Sequence, residues 1–140
     1  MRRLFAMIAL TLLPSAAHAT LCEDGLPTAS TAIVTPVIDA TLQGDYRALT
    51  AALNPAQTGA EPARQQMIAD LERLAPLGYD DCAVLVARPL GPDFEVFILM
   101  FAADGQRLYA FLALARIAGG WEIIHSHLSP AFAEVYDLLR

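Results

Sequence analysis

Between Cys82 and Leu128 the chain carries four apolar runs set apart by very short breaks: CAVLVARP, FEVFILMFAA, RLYAFLALARIA and WEIIHSHL. The breaks are Gly91-Pro92, Asp104-Gly105 and Gly119-Gly120. From Cys82 the helical period gives way to runs rich in the branched and aromatic residues that suit a pleated surface. Asp-Gly and Gly-Gly are strong two-residue hairpin signals, because the favoured turns need positive φ at their centre. Parallel strands need a long crossover, and there is no room for one here. The segment is therefore expected to fold as an antiparallel meander.

Two-residue turns also set register, and register decides which side chains share a face. With turns at Asp104-Gly105 and Gly119-Gly120, Arg116 stands opposite Asp93 and Ile123. Leu114 then faces Glu95 and His125, and Leu112 faces Phe97 and His127. One sheet face would carry Val96, Ile98, Phe111 and Ala113 with Ser126 and Leu128. The other would carry Phe97, Leu99, Leu112 and Leu114, with Asp93, Glu95, Arg116, His125 and His127 gathered toward one end. A single bulge would undo this for the strand beyond it.

That polar end admits three readings. His125 can act as acid or base with Glu95 orienting it, since a carboxylate beside an imidazole raises its basicity. Two histidines and a carboxylate can hold a divalent metal, because alternate residues of a strand share a face. Or the charged residues are ordinary cross-strand pairs at a sheet rim, contributing under about 1 kcal/mol each. The rim reading is preferred. No third metal ligand is at hand, so no metal site is assigned and no cofactor is expected. No G-x-S-x-G, phosphate loop or zinc spacing occurs.

The residues before the meander read as helices. Pro36 suits a first helical position with Thr35 as cap, followed by Val37, Ile38, Thr41 and Leu42 on one face, and TASTAIV upstream can extend the same helix. Gly44 ends this segment and Asp45 caps the next, in which Tyr46, Leu49 and Leu53 recur at helical spacing. Asn54-Pro55 stops it. Pro62 opens a third helix with Met67, Leu71, Leu74 and Ala75 in one stripe, closed by Pro76 and Gly78. Ser129-Pro130 starts a short final helix with Phe132, Val135, Tyr136 and Leu139 on one side. The expected organisation is a helical half over about 28–77, a sheet over about 82–128 and a C-terminal helix over about 130–139.

The first 19 residues are set apart from this domain. Arg2 and Arg3, an apolar stretch of 10 residues from Leu4 to Leu13, and the ending Ala17-His18-Ala19 have the order of a secretory signal peptide cleaved after Ala19. The stretch is too short to span a bilayer, so no membrane anchor is expected after cleavage. From Thr20 to Arg140 the chain then has 121 residues, one domain's worth. Seven arginines remain against 15 acidic residues, a net charge of −8, and there is no lysine. Such a chain lacks the basic patch that nucleic acid requires. Cys22 and Cys82 are the only cysteines. In an exported protein an isolated pair most simply forms a disulfide, which places the chain in the periplasm or outside the cell.

Helices followed by a meander ending R-I-A-G-G-W-E-I-I-H-S-H-L-S resemble the nuclear transport factor 2-like superfamily. The likeness is closest to its SnoaL-like branch, through Gly120, Trp121, His125, His127 and Ser129. The segment Leu42–Leu49 resembles that family's junction between its first two helices. The resemblance implies an α+β cone, a curved four-stranded antiparallel sheet wrapped on N-terminal helices with a pocket between them, of the cystatin and nuclear transport factor 2 kind. It also implies either a non-catalytic binding domain or a small isomerase, dehydratase or cyclase. For the enzyme, the candidates are His125 as base with Glu95, His127 or Tyr46 assisting. Trp121, Arg116 and Asp39 are the candidate pocket residues. The preferred expectation is a non-catalytic domain that takes a small apolar ligand or interacts with another protein, including pairing as a homodimer through a sheet face.

Overall fold

The computed structural model describes residue 22, residues 24–53 and residues 60–140. The signal segment and the Asn54-Pro55 stop lie outside the described residues. From residue 24 onward, three helices come first among the described residues: α1 (Thr28–Gln43), α2 (Tyr46–Ala52) and α3 (Glu61–Leu74). Four strands follow, β1 (Asp81–Pro89), β2 (Phe94–Ala103), β3 (Gln106–Ile117) and β4 (Gly120–Ser129), paired in sequence order and all antiparallel. A short α4 (Phe132–Tyr136) and one 3-10 turn (Asp137–Leu139) end the chain. This is the expected α+β layout.

The helix α1 begins eight residues earlier than Pro36 and carries that proline inside it. A proline within a helix costs roughly 3 kcal/mol by removing a donor and crowding the preceding turn. Here Ala32, whose carbonyl loses its partner, lies on the exposed side. The other side buries Ser30, Val34, Val37, Ile38 and Thr41 almost completely. Each large apolar side chain so buried contributes about 1.5–3 kcal/mol, which outweighs the proline. The Ser30 and Thr31 hydroxyls donate to the Pro27 carbonyl and help hold the first turn.

The helices are locked to one another through two glycines. Gly44 (φ +69°) ends α1 and Gly78 (φ +85°) turns the chain toward β1. A Cβ on Gly78 would lie 2.3 Å from the Leu42 carbonyl oxygen and 2.5 Å from the Gly44 nitrogen, so backbone packs directly on backbone. Beside this contact the Asp45 carboxylate accepts from the Ala48 N–H at 3.0 Å and caps α2. The Tyr46 hydroxyl donates to the Ala75 carbonyl at 2.5 Å, joining α2 to the end of α3.

The sheet has two covered faces. Phe97, Leu99, Phe101, Leu108, Leu112 and Leu114 point inward and pack, fully buried, on α1, α2 and α3. On the outer face Val96, Ile98 and Phe111 form a second cluster, closed by Val135 of α4. Phe132 and Tyr136, expected beside Val135, stay largely exposed and stack on each other at 5.5 Å. Cys22 and Cys82 are joined as a disulfide with Cα atoms 5.4 Å apart, tying the chain ahead of α1 to β1. Among the described residues no helix is long and apolar enough to cross a membrane.

Candidate functional site

Both strong hairpin turns have two residues with positive φ. The first is Asp104-Gly105, as expected, and β2 and β3 pair in the expected register. The second is Ala118-Gly119, one position earlier than Gly119-Gly120, with Ala118 at φ 50° and Gly119 at φ 86°. Moving a turn by one residue shifts partners by two, which leaves faces unchanged. Arg116 therefore faces Trp121 and Leu114 faces Ile123.

The larger correction comes at Ile124. Leu114 pairs with Ile123, but Ala113 pairs with His125, so Ile124 is an extra residue and the strand beyond it is turned over. Leu112 then faces Ser126, and Phe111 faces His127. Ser126 and Leu128 consequently point inward. His125 and His127 point outward, onto the face of Phe111 and α4. The expected placement of both histidines beside Leu112 and Leu114 is overturned by this single bulge.

His125 is exposed, with its ring edge-on to Phe111 at 5.9 Å. His127 Nε2 lies 4.0 Å from Glu134 Oε2 of α4. The same carboxylate oxygen accepts from the Ser129 hydroxyl at 2.5 Å, and Ser129 Oγ accepts from the Ala131 N–H at 3.0 Å. These contacts hold the start of α4 to the end of β4. Glu95 stays on the inner face, half-buried, with Oε2 shielded from solvent and without a hydrogen-bond partner among the described residues. Glu95 and His125 thus share no site.

Arg116 and Trp121 do meet: the guanidinium lies 5.1 Å from the indole centroid, and Arg116 Nε is 4.0 Å from Asp93 Oδ1. Of this, only the Arg116–Asp93 pair is the one expected at the sheet rim; the Arg116–Trp121 contact follows from the shifted turn. Asp39 is half-buried on α1. The Tyr46 hydroxyl is spent on Ala75, and burial, with smaller contributions from the Tyr79 hydroxyl and Glu72, pushes its pKa up to about 12. Tyr79 is likewise raised by burial, and its hydroxyl has no partner among the described residues. Among the described residues no group of three metal-binding side chains occurs.

A concavity among the described residues lies elsewhere. A cleft of about 500 Å3 opens between α3 and the inner side of β3 and β4. Leu53, Met67, Leu71, Leu74, Leu108 and Leu128 make it apolar. Gln66, Asp70 and Ser126 supply polar groups, and His127 stands at its lip. Its volume falls in the range of small-molecule sites, and the mix of an apolar lining with few polar groups is what such sites have. The bulge at Ile124 is what turns Ser126 and Leu128 into it.

No protein-family model matches the chain, and no curated protein matches it. Solved structures do. An NTF-2-like protein of unknown function from Silicibacter pomeroyi DSS-3 aligns over 72% of this chain and 92% of its own, at 22% identity and a TM-score of 0.49. An NTF2-like protein of unknown function from Shewanella baltica OS155 aligns over 74% of this chain and 93% of its own, at 12% identity and a TM-score of 0.51. The chain has the NTF2-like fold. Identities this low speak for the fold alone.

Within this NTF2-like frame the expected site residues do not converge. Of His125, Glu95, His127, Tyr46, Trp121, Arg116 and Asp39, only His127 touches the main cleft. Met67, Leu71 and Leu74 were legible as the buried stripe of α3, and they form one wall of it. Gln66, Asp70, Ser126 and Leu128 were not singled out. For the last two the signal is the Ile123-Ile124 doublet, which breaks the alternation of WEIIHSHL and leaves Leu128 out of phase with Trp121 and Ile123.

Proposed function

We infer that the protein is an exported binding domain that holds a small, largely apolar molecule in the cleft between α3 and β4 and catalyses no reaction on it. The cleft carries this reading: about 500 Å3 of mostly leucine-lined space with a few polar groups at its edge. An acid/base reaction would need titratable groups converging on one cavity. His125 and Glu95 are on opposite faces, and the Tyr46 hydroxyl is committed to a backbone carbonyl. The Cys22–Cys82 disulfide supports export to an oxidising compartment such as the periplasm, in line with the signal-like N-terminus.

The test uses the mature disulfide-bonded protein and N-phenyl-1-naphthylamine, an uncharged dye that brightens in apolar surroundings. Saturable one-to-one binding is expected. Met67→Trp, which fills the cleft from a half-buried position, abolishes it while the melting temperature holds. Absence of dye binding, or binding indifferent to Met67→Trp, overturns the reading.

A further inference from the structure

We propose that the ligand of this cleft is an amine-bearing apolar molecule, bound as a cation with its charged nitrogen beside Asp70. The inference rests on the reading of the cleft as a binding site and goes on to name the ligand's chemical class. Among the described residues of the lining Asp70 is the one carboxylate, and no arginine stands there. The chain has no lysine at all. Gln66 Nε2 donates to Asp70 Oδ1 at 2.9 Å, and Arg73 binds the same oxygen. Oδ2 therefore keeps its acceptor capacity among the described residues, and an ammonium group is a strong donor to it.

Arg73 offsets the charge of Asp70, so the local pair alone would be nearly neutral. Arg73 is itself 73% exposed, where water screens it, and the mature domain carries seven arginines against 15 acidic residues, a net of −8. The summed field favours a cation approaching the cleft and opposes an anion. A carboxylate or phosphate head group would find no arginine among the described lining residues, and its charge would be desolvated without a partner. Ser126 offers a hydroxyl that takes either role in a hydrogen bond, and so does not select for charge. Six apolar side chains hold the tail, and one carboxylate at the edge selects the head.

The experiment is a calorimetric titration of the mature protein with octylamine, octanol and octanoate, three probes with one tail and different heads. Octanol is expected to bind, octylamine to bind roughly two- to fivefold tighter, in keeping with a partly exposed charge contact, and octanoate to bind roughly tenfold weaker than octanol. In Asp70→Asn the amine's lead over the alcohol disappears. Added salt erodes the lead in the native protein. If octanol binds but octylamine has no lead, or the lead survives Asp70→Asn, this inference falls and the cleft reading stands. If octanoate binds tightest, it falls as well. If none of the three binds, both fall together.

Discussion

Glu95 and His125 stand on opposite faces of one sheet: Glu95 beside Phe97 on the inner side, His125 edge-on to Phe111 on the outer side. A regular β4 would have put them on the same face. The extra residue at Ile124 separates them, and in doing so it aims Ser126 and Leu128 at the helices. The same bulge that dismantles one candidate site builds the floor of another.

Deleting Ile124 tests this directly. Beyond the bulge the ladder already runs in the register of a strand lacking that residue, so the deletion leaves Ser126 and Leu128 inward and the histidines outward. The expected cost is about 1–2 kcal/mol, the loss of a half-buried isoleucine, with dye binding in the cleft retained. Urea unfolding and the naphthylamine assay read both quantities. Loss of binding from a folded variant would show that faces are not set this way.

Gly78→Ala is expected to cost at least about 2 kcal/mol, combining a left-handed backbone with a methyl driven into the Leu42 carbonyl. Gly105→Ala is the control. It too has a positive φ, of +78°, but nothing lies within 4 Å of the added carbon. Backbone strain of about 1 kcal/mol is then the whole effect. Equal urea midpoints for the two variants would refute the backbone-on-backbone contact between Gly44 and Gly78.

The fold was legible in the sequence to the extent that its signals are local. Asp104-Gly105 is a turn because its two residues tolerate positive φ, and β2 and β3 follow in register from it. The caps at Gly44 and Asp45 are equally local. The misplaced features are those set by distant packing. Ala118 adopts a positive φ that its side chain does not favour. Pro36 sits inside α1 because the buried row from Ser30 to Thr41 continues through it. The bulge at Ile124 has its return in the packing of Leu128 against the main core, and the Ile123-Ile124 doublet marks the break in alternation without saying which face the strand beyond it turns to that core. The cleft, assembled from α3 and the turned-over end of β4, inherits the same blindness.

Tyr46 should make stability fall at alkaline pH. Its pKa is raised in the folded state, to about 12 against 10.0 for the free side chain. The folded protein therefore holds this proton more tightly than the unfolded chain. The stabilisation is complete below pH 10 and is lost as pH rises toward 12. Solvent screening keeps the loss below the roughly 3 kcal/mol that two full pH units would carry. Tyr46→Phe removes this component and also the bond to Ala75, so the variant is less stable at neutral pH and its stability falls less steeply above pH 10. Parallel slopes for the two proteins would contradict the assignment.

Reducing the Cys22–Cys82 bond should cost up to about 4 kcal/mol, the chain-entropy value for a loop whose ends are 60 residues apart. Replacing both cysteines by serine gives the same loss without a reductant. The buried thiols lie at the start of α1's approach to β1, so hydrogen exchange should quicken first around Gly25 and Val84, which touch there. An unchanged melting temperature would mean that the bond adds nothing to the fold.

The most direct measurement is amide chemical-shift mapping of the isotope-labelled, disulfide-bonded protein titrated with N-phenyl-1-naphthylamine. Binding in the cleft predicts that the largest shifts fall on Met67, Asp70, Leu71, Ser126 and Leu128. Shifts centred on Glu95, Arg116 and Trp121 would place the ligand at the rim of the sheet instead and contradict the account.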